Sequence, residues 1–211
     1  MANFNFAGWQ NGTNWYNMAK TLKNSADMIR EAYLEAYTHL NKRIMESLSN
    51  GGVLHTTHEH FFNIDQYPVF MMLMGYSMEN IFRGIVICGE WLDDSDSVDA
   101  IVDYAAFKAQ VRGDMSSKII LNKHGLRRLL DAKHMGIKFS KEEKSMMDEL
   151  DKFVRWGGRY AVPLEHDPSD PHGLLKLQPI DAPYPFQVID TMYVKSMEEL
   201  ERLCILQGEK V

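Results

Sequence analysis

Residues Tyr67 to Leu92 read YPVFMMLMGYSMENIFRGIVICGEWL and form the most apolar segment of the chain. Apolar side chains fill almost every position, so a helix here has very little polar face. Pro68 stands at its start, where a helix tolerates proline because the first turn does not need that N–H. The sequence therefore predicts a helix over Val69 to Leu92 at the centre of an all-α bundle.

A long amphipathic helix is predicted before the central one, from Asn14 to about Leu48. Its apolar residues recur three or four positions apart, as they do along one face of a helix. They are Trp15, Met18, Leu22, Ala26, Ile29, Tyr33, Ala36, Leu40, Ile44 and Leu48. At ~1.5 Å per residue, this helix would be roughly 50 Å long. Gly51 and Gly52 are expected to end it, because glycine readily takes the left-handed conformation found after helices.

Three more helices are predicted after the central one. The first spans Lys118 to Met135 and ends before Gly136. Ser140-Lys141-Glu142-Glu143 is a capping box, in which the serine and glutamate side chains satisfy each other's backbone donors, so it starts the next helix. Ser196-Met197-Glu198-Glu199 has the same pattern and predicts a short C-terminal helix before Gly208. The fold is therefore expected to be a bundle of four or five main helices with a short C-terminal helix in addition.

Prolines cluster in the C-terminal part of the chain, where six of the seven lie between Pro163 and Pro185. Proline restricts the residue before it as well as its own backbone, so this segment is predicted to be an extended arm. The tail holds too few apolar residues to build a core of its own. We therefore expect a single domain. Residues 1–162 would form the helical bundle, and residues 163–211, the arm and the C-terminal helix, would pack on it.

The composition is that of a soluble globular protein. The chain has 211 residues, of which 45% are hydrophobic and 25% are charged, and these fractions argue against a disordered chain or a coiled-coil rod. No apolar run reaches the roughly 18 residues of a membrane span, since Glu79 and Arg83 interrupt the most apolar segment. The first residues lack the basic start and apolar middle of an export signal. We expect a cytoplasmic protein without membrane contacts.

The chain has two cysteines, Cys88 and Cys204. They lie in separate apolar patterns, and neither belongs to a CxxC motif. We therefore expect reduced thiols that are packed in the core.

The net charge of −6 gives the chain no general attraction for nucleic acid. Any contact with RNA must therefore be local. Two basic patches could supply it. One runs from Lys118 to Arg128, and for this patch a solvated helix face is the favoured interpretation. The other is the pair Arg155 and Arg159.

Arg159 and His166 are the candidate catalytic residues. A guanidinium keeps its charge and can hold a phosphate, whereas an imidazole exchanges a proton near neutral pH. Together they could cleave RNA without a metal or another cofactor, with Arg159 on the phosphate and His166 as acid or base. The structural alternative is that Arg159 caps the preceding helix and His166 lies in a solvated loop.

Glu79 and Arg83 lie four residues apart on the predicted central helix, so their side chains can meet on one face. A charge buried in a core needs such a partner. Asn80 adds another hydrogen-bonding group beside them. These residues form either a stabilising internal ion pair or the polar lining of a site.

A histidine-rich loop follows the first helix. His55, His58 and His60 with the neighbouring Glu59 could offer ligands to zinc or a similar metal. Their spacing matches no known zinc motif, so surface histidines are the favoured interpretation.

Several stretches together resemble the HEPN superfamily, whose members are all-helical nucleotide-binding and RNase domains of prokaryotic toxin and defence systems. The stretches are Tyr67-Pro68 with residues Gly75 to Gly84, residues His124 to Leu130, and Trp156 to Pro163. The family signature is an arginine followed, after four to six intervening residues, by a histidine. Arg159 and His166 are separated by six residues.

The resemblance implies a metal-independent endoribonuclease of a toxin–antitoxin or defence system, with RNA as its substrate and an antitoxin or another protein as its partner. HEPN domains form dimers whose two sites face a shared cleft, so a homodimer is implied. Arg159 and His166 would be catalytic. The substrate-binding residues would be Glu79, Asn80, Arg83, Arg155 and Tyr160. Two alternatives stay open: a non-catalytic protein-interaction module that uses the arm and the C-terminal helix, and a metal-dependent enzyme that uses the loop from His55 to His60.

Overall fold

Five α-helices and no strand are found in the residues that the computed structural model describes, which are 12–50, 66–93, 125–132, 134–154, 184–206 and 208. In chain order the helices are α1 (Gly12–Ser49), α2 (Gln66–Asp93), α3 (Leu126–Leu129), α4 (Lys141–Lys152) and α5 (Tyr184–Leu206). The prediction of an all-α protein is confirmed. Helices α1 and α2 also begin and end within a few residues of their predicted bounds.

Helix α2 lies at the centre of the bundle and contacts each of the other four helices. Its fully buried side chains include Met74, Met78, Ile81, Phe82 and Ile85. Exposing any one of these large side chains would cost roughly 1.5–3 kcal/mol, so an almost continuously apolar helix takes the central place. The predicted position of this helix is confirmed. None of the five described helices combines the length and the apolar composition that a membrane span requires.

Helix α1 runs antiparallel to α2. Ser77 Oγ donates a hydrogen bond to the carbonyl oxygen of Ala19 at 2.8 Å, and the rings of Tyr67 and Tyr33 lie 5.6 Å apart, so earlier residues of α2 face later residues of α1. The buried residues of α1 recur every seventh position and are Gly12, Ala19, Ala26 and Tyr33. The small residues of this seam let the two backbones approach closely.

The contact face of α1 is narrower than the predicted stripe. Met18 and Leu48 belong to that stripe, yet they are 56% and 72% exposed. A seam of residues that recur every seventh position uses fewer positions than a stripe that recurs every three or four residues. In addition, the pairing of Tyr33 with Tyr67 means that the C-terminal part of α1 extends past the start of α2.

Helix α5 runs parallel to α2. Phe186 packs edge-to-face on Phe70 with ring centroids 4.9 Å apart, and further along the pair, Leu200 Cδ1 would lie 2.9 Å from a Cβ built on Gly84. In both pairs, Phe70 with Phe186 and Gly84 with Leu200, the same number of positions separates the α2 residue from the α5 residue. The two helices therefore keep one register along their length.

The prediction of a short C-terminal helix that starts at Ser196 is wrong, because α5 begins at Tyr184. Ser196 lies inside the helix, where its hydroxyl donates to the carbonyl oxygen of Met192 at 2.7 Å. Burial of upstream residues such as Phe186 stabilises the additional turns. Pro185 falls in the first turn, where proline is tolerated, so Tyr184 and Pro185 are helical instead of extended. The rest of the predicted arm, residues 163–183, lies outside the described residues.

The predicted third helix, Lys118 to Met135, is wrong in its described part, because α3 ends at Leu129. Asp151 Oδ1 accepts a hydrogen bond from the N–H of the first residue of α3 at 2.6 Å, which fixes this short helix to α4. After a turn, residues 135–140 are non-helical. This path carries Phe139 into the core, where its ring centroid lies 5.9 Å from that of Phe82. Residues 118–124 lie outside the described part of the chain.

Helix α4 begins where the capping box predicts. Ser140 Oγ accepts from the N–H of Glu143 at 3.1 Å, and Glu143 Oε2 accepts from the N–H of Ser140 at 2.6 Å. The helix packs antiparallel on α2. Near its end, Val154 comes so close to Gly75 that a Cβ on this glycine would lie 2.3 Å from Val154 Cγ2. Glycine at this position lets α4 approach the central helix.

Candidate phosphate-binding pocket

Most of the predicted site residues lie outside the described part of the chain. These are the catalytic pair Arg159 and His166, the substrate-binding residues Arg155 and Tyr160, and the loop histidines His55, His58 and His60. The structure places the other three, Glu79, Asn80 and Arg83, on α2.

Glu79 and Arg83 form an ion pair in the core, as their four-residue spacing predicts. Arg83 Nε donates to Glu79 Oε1 at 2.9 Å, and Arg83 Nη2 donates to the same oxygen. The Glu79 side chain is 4% exposed and that of Arg83 is 13% exposed. The two charges therefore attract each other in a medium of lower dielectric constant than water, which strengthens the pair.

Asn80 makes a separate hydrogen bond on the same helix. Its Nδ2 donates to the carbonyl oxygen of Tyr76 at 2.7 Å, one turn earlier. The side-chain amide of Asn80 therefore bonds to the backbone of its own helix. The three predicted polar residues are thus neighbours on α2, but the hydrogen bond of Asn80 is separate from the ion pair of Glu79 and Arg83.

A pocket of about 430 Å³ opens on the surface beside α3, the non-helical residues that follow it and the first turn of α4. Among the described residues, its lining combines apolar side chains with three cations and one carboxylate. The lining residues are Arg127, Leu130, Asp131, Ile137, Lys138, Phe139 and Lys144. A small concave site with an apolar wall and a few charged groups can hold a small charged molecule or part of a larger one.

The pocket is positive, whereas the whole chain carries a net charge of −6. Arg127, Lys138 and Lys144 come from three different segments, and all three are exposed. Arg127 Nε also lies 3.7 Å from Asp148 Oδ1, but about half of each side chain is exposed, so this pair contributes little. The excess of positive charge raises the local concentration of anions.

Lys195 of α5 holds one wall of the pocket in place. Its Nζ donates to Glu143 Oε1 at 2.7 Å and to the carbonyl oxygen of Lys138 at 3.3 Å, and it lies 5.3 Å from the centre of the Phe139 ring. Burial alone would raise the pKa of Glu143. The hydrogen bonds from Lys195 and Ser140, with the charge of Lys195, outweigh burial and lower this pKa. The carboxylate therefore ties α4 and α5 to the pocket segment.

Replacing Glu143 with glutamine should lower the free energy of unfolding at pH 7 by roughly 1–2 kcal/mol, because the charge-assisted hydrogen bonds are lost. A carboxylate with a lowered folded-state pKa contributes stability above its unfolded-state pKa, and this stability disappears as the pH falls through the folded-state pKa. The difference between wild type and Glu143→Gln should therefore shrink below about pH 4. Urea unfolding at pH 7 and at pH 3 measures both effects.

Glu142→Gln is the matched control, since Glu142 is an exposed neighbour in the same helical turn. It should leave stability nearly unchanged at both pH values. Equal losses in the two variants would contradict a special role for Glu143.

Most of the pocket is not apparent from sequence patterns. Arg127 belongs to a basic patch for which a solvated helix face is the favoured interpretation, and no pattern singles out Lys138 or Lys144. These cations become neighbours because α3 ends early and the chain then turns back to α4. The feature of the sequence that could have indicated the pocket is the high frequency of basic residues on both sides of Gly136.

Among the described side chains, no group of three or more His, Cys, Asp or Glu residues is placed to hold a metal ion. No protein-family model, curated protein or solved structure matches the chain. The resemblance to the HEPN superfamily therefore stays a hypothesis, and the chemistry of the pocket is the main guide to function.

Proposed function

We propose that the protein binds single-stranded RNA, and that phosphate groups of the RNA occupy the pocket lined by Arg127, Lys138 and Lys144. One observation carries this proposal: three exposed cations from three segments surround one concavity in a chain that is acidic overall. Contacts with phosphates supply most of the sequence-independent affinity of proteins for nucleic acid. A local site of this kind is what an acidic RNA-binding protein needs.

The lining residues suit different parts of a nucleotide. Arg127 can donate two parallel hydrogen bonds to one phosphate, while the two lysines act as point charges. Leu130 and Ile137 offer apolar surface to a base. Asp131 can accept a hydrogen bond from a ribose 2′-hydroxyl, the group by which proteins distinguish RNA from DNA.

RNA cleavage is the catalytic part of the proposal, and it rests on the resemblance to the HEPN superfamily. Arg159 would hold the scissile phosphate, and His166 would take a proton from the 2′-hydroxyl or give one to the leaving oxygen. No metal is needed for these steps. A homodimer, an antitoxin or another protein partner, and a role in defence belong to the same proposal.

A charge-neutralised variant, R127Q/K138Q/K144Q, tests RNA binding in a titration with fluorescently labelled single-stranded RNA. The affinity should fall at least about tenfold at 0.1 M salt, which is roughly 0.5 kcal/mol for each cation. If each cation neutralises one phosphate, the slope of log affinity against log salt concentration should become shallower by about 2. Single-stranded DNA of the same sequence should bind more weakly to the wild type.

The control variant K20Q/K42Q/R202Q removes the same charge from exposed positions outside the pocket. Equal weakening in both triple variants would reject the pocket as the RNA site. The same labelled RNA reports cleavage, which His166→Ala should abolish without a change in melting temperature. Retained cleavage in that variant would reject the catalytic part of the proposal and leave the binding part standing.

A further inference from the structure

Cys88 on α2 and Cys204 on α5 are the two cysteines of the chain. Both are thiols, both are fully buried, and both belong to the same apolar core. The predicted burial of both cysteines is confirmed. What the sequence pattern does not show is their position relative to each other.

The register of α2 and α5 brings the two cysteines to the same level of the bundle. An aromatic contact joins the helices near their N-terminal ends, and Gly84 faces Leu200 further along. In both contacts, the same number of positions separates the α2 residue from the α5 residue. Cys88 and Cys204 are separated by that number too, and they come one helical turn after Gly84 and Leu200, respectively.

The helices are closely packed at this level. A Cβ on Gly84 would lie 2.9 Å from Leu200 Cδ1 and 2.8 Å from Trp15 Cβ, so the backbone of α2 touches both neighbouring helices. Residues four apart lie on the same face of a helix, so the two cysteines continue this row of contacts. Gly12, the first buried residue of the antiparallel α1, lies at this end of the bundle and has no side chain to separate the thiols.

We propose that Cys88 and Cys204 form an intramolecular disulfide when the protein meets a thiol oxidant such as hydrogen peroxide. The thiolate of one cysteine attacks a peroxide oxygen, the O–O bond breaks, and a sulfenic acid and one water result. The sulfur of the second cysteine then attacks the sulfenic sulfur and displaces a second water. Overall, the two thiols lose two protons and two electrons, and peroxide is reduced to water.

The end of α5 gives the oxidant a route to the buried sulfur atoms. Cys204 lies in the last turn of α5, beside Ile205 and Leu206, which are 60% and 58% exposed. Helix ends open locally at a free-energy cost far below that of global unfolding. Opening of this last turn exposes Cys204 while the rest of the bundle stays folded. The bond then ties the C-terminal end of α5 to the central helix.

Treatment of the wild-type protein with hydrogen peroxide tests the proposal. Thiol titration after unfolding should find neither thiol, and the intact mass should fall by two hydrogen atoms. Non-reducing electrophoresis should show no crosslinked dimer. The melting temperature should rise by about 10 °C, since the bond closes a long loop, and dithiothreitol should reverse every change.

Cys88→Ala and Cys204→Ala are the matched controls, because each keeps one thiol and should show no rise in melting temperature after oxidation. The proposal is wrong if the wild type keeps both thiols, gains oxygen atoms without forming the bond, or forms a disulfide-linked dimer instead. None of these readouts requires RNA, so the outcome is independent of the proposed RNA binding.

Discussion

Arg83→Met should lower the free energy of unfolding by about 3–5 kcal/mol, the usual cost of removing one partner from a buried ion pair. The substitution removes the guanidinium that donates two hydrogen bonds to Glu79 Oε1 and leaves a flexible apolar side chain. The Glu79 carboxylate, 4% exposed, then stays in the core without that counter-charge. For a chain of this size, the melting temperature should fall by about 10 °C.

Arg202→Met is the matched control for this experiment. Arg202 also donates two hydrogen bonds to a glutamate on its own helix, with Nε 2.8 Å from Glu199 Oε2 and Nη2 2.7 Å from Glu199 Oε1. Its side chain is 56% exposed, so the loss should stay below about 1 kcal/mol. Equal losses in the two variants would mean that water screens the pair on α2 as well.

The double variant Glu79→Met/Arg83→Met separates the charges from the packing. The double variant removes both charges of the pair, so neither stays buried without the other, and most of the stability lost in Arg83→Met should return. This variant also tests the function that the resemblance assigns to the pair. Reduced RNA binding in the stable double variant would support a place for Glu79 and Arg83 in the RNA site, whereas unchanged binding would make the pair purely structural.

Helices α2 and α4 could be predicted from the sequence because local features define them. The long apolar run of α2 leaves very little polar face, so burial at the centre of the bundle is the most stable arrangement. The start of α4 depends on two hydrogen bonds between Ser140 and Glu143, three residues apart. Both features can be recognised without knowing which other helices are nearby.

The start of α5 could not be predicted in this way. The residues from Ser196 to Glu199 have the composition of a capping box, which contributes about 1 kcal/mol to a helix. Each large apolar side chain buried upstream, such as Phe186 or Ile189, contributes roughly 1.5–3 kcal/mol. Tertiary burial therefore outweighs the local signal, and the helix extends back to Tyr184.

The pocket and the cysteine pair depend on how separate helices are placed relative to one another. Arg127 and Lys144 line one concavity because α3 ends at Leu129 and the chain then turns back to α4. Cys88 and Cys204 share a level because α2 and α5 are parallel and in one register. A periodic pattern describes one helix at a time, so it holds no information about either relation.

Gly84→Val should destabilise the protein by about 3 kcal/mol, at the upper end of the cost of overpacking a core. The atoms closest to a new Cβ are Trp15 Cβ at 2.8 Å and Leu200 Cδ1 at 2.9 Å. Leu200 can rotate away, but Trp15 Cβ is fixed to the backbone of α1. The valine must therefore push α1 away from α2, and this movement strains the hydrogen bond from Ser77 to Ala19 in the same seam.

The variants Gly84→Ala and Gly136→Val show whether the clash of the valine side chain causes the loss of stability in Gly84→Val. Alanine gains about 1 kcal/mol of helix propensity over glycine, which offsets part of a roughly 1–3 kcal/mol overpacking cost, so Gly84→Ala should lose less than Gly84→Val. Among the described residues, no atom beyond the chain neighbours lies within 4 Å of a Cβ on Gly136, so Gly136→Val should change stability by no more than about 0.5 kcal/mol in urea unfolding. A Gly84→Val protein as stable as wild type would mean that α1, α2 and α5 are further apart at this level.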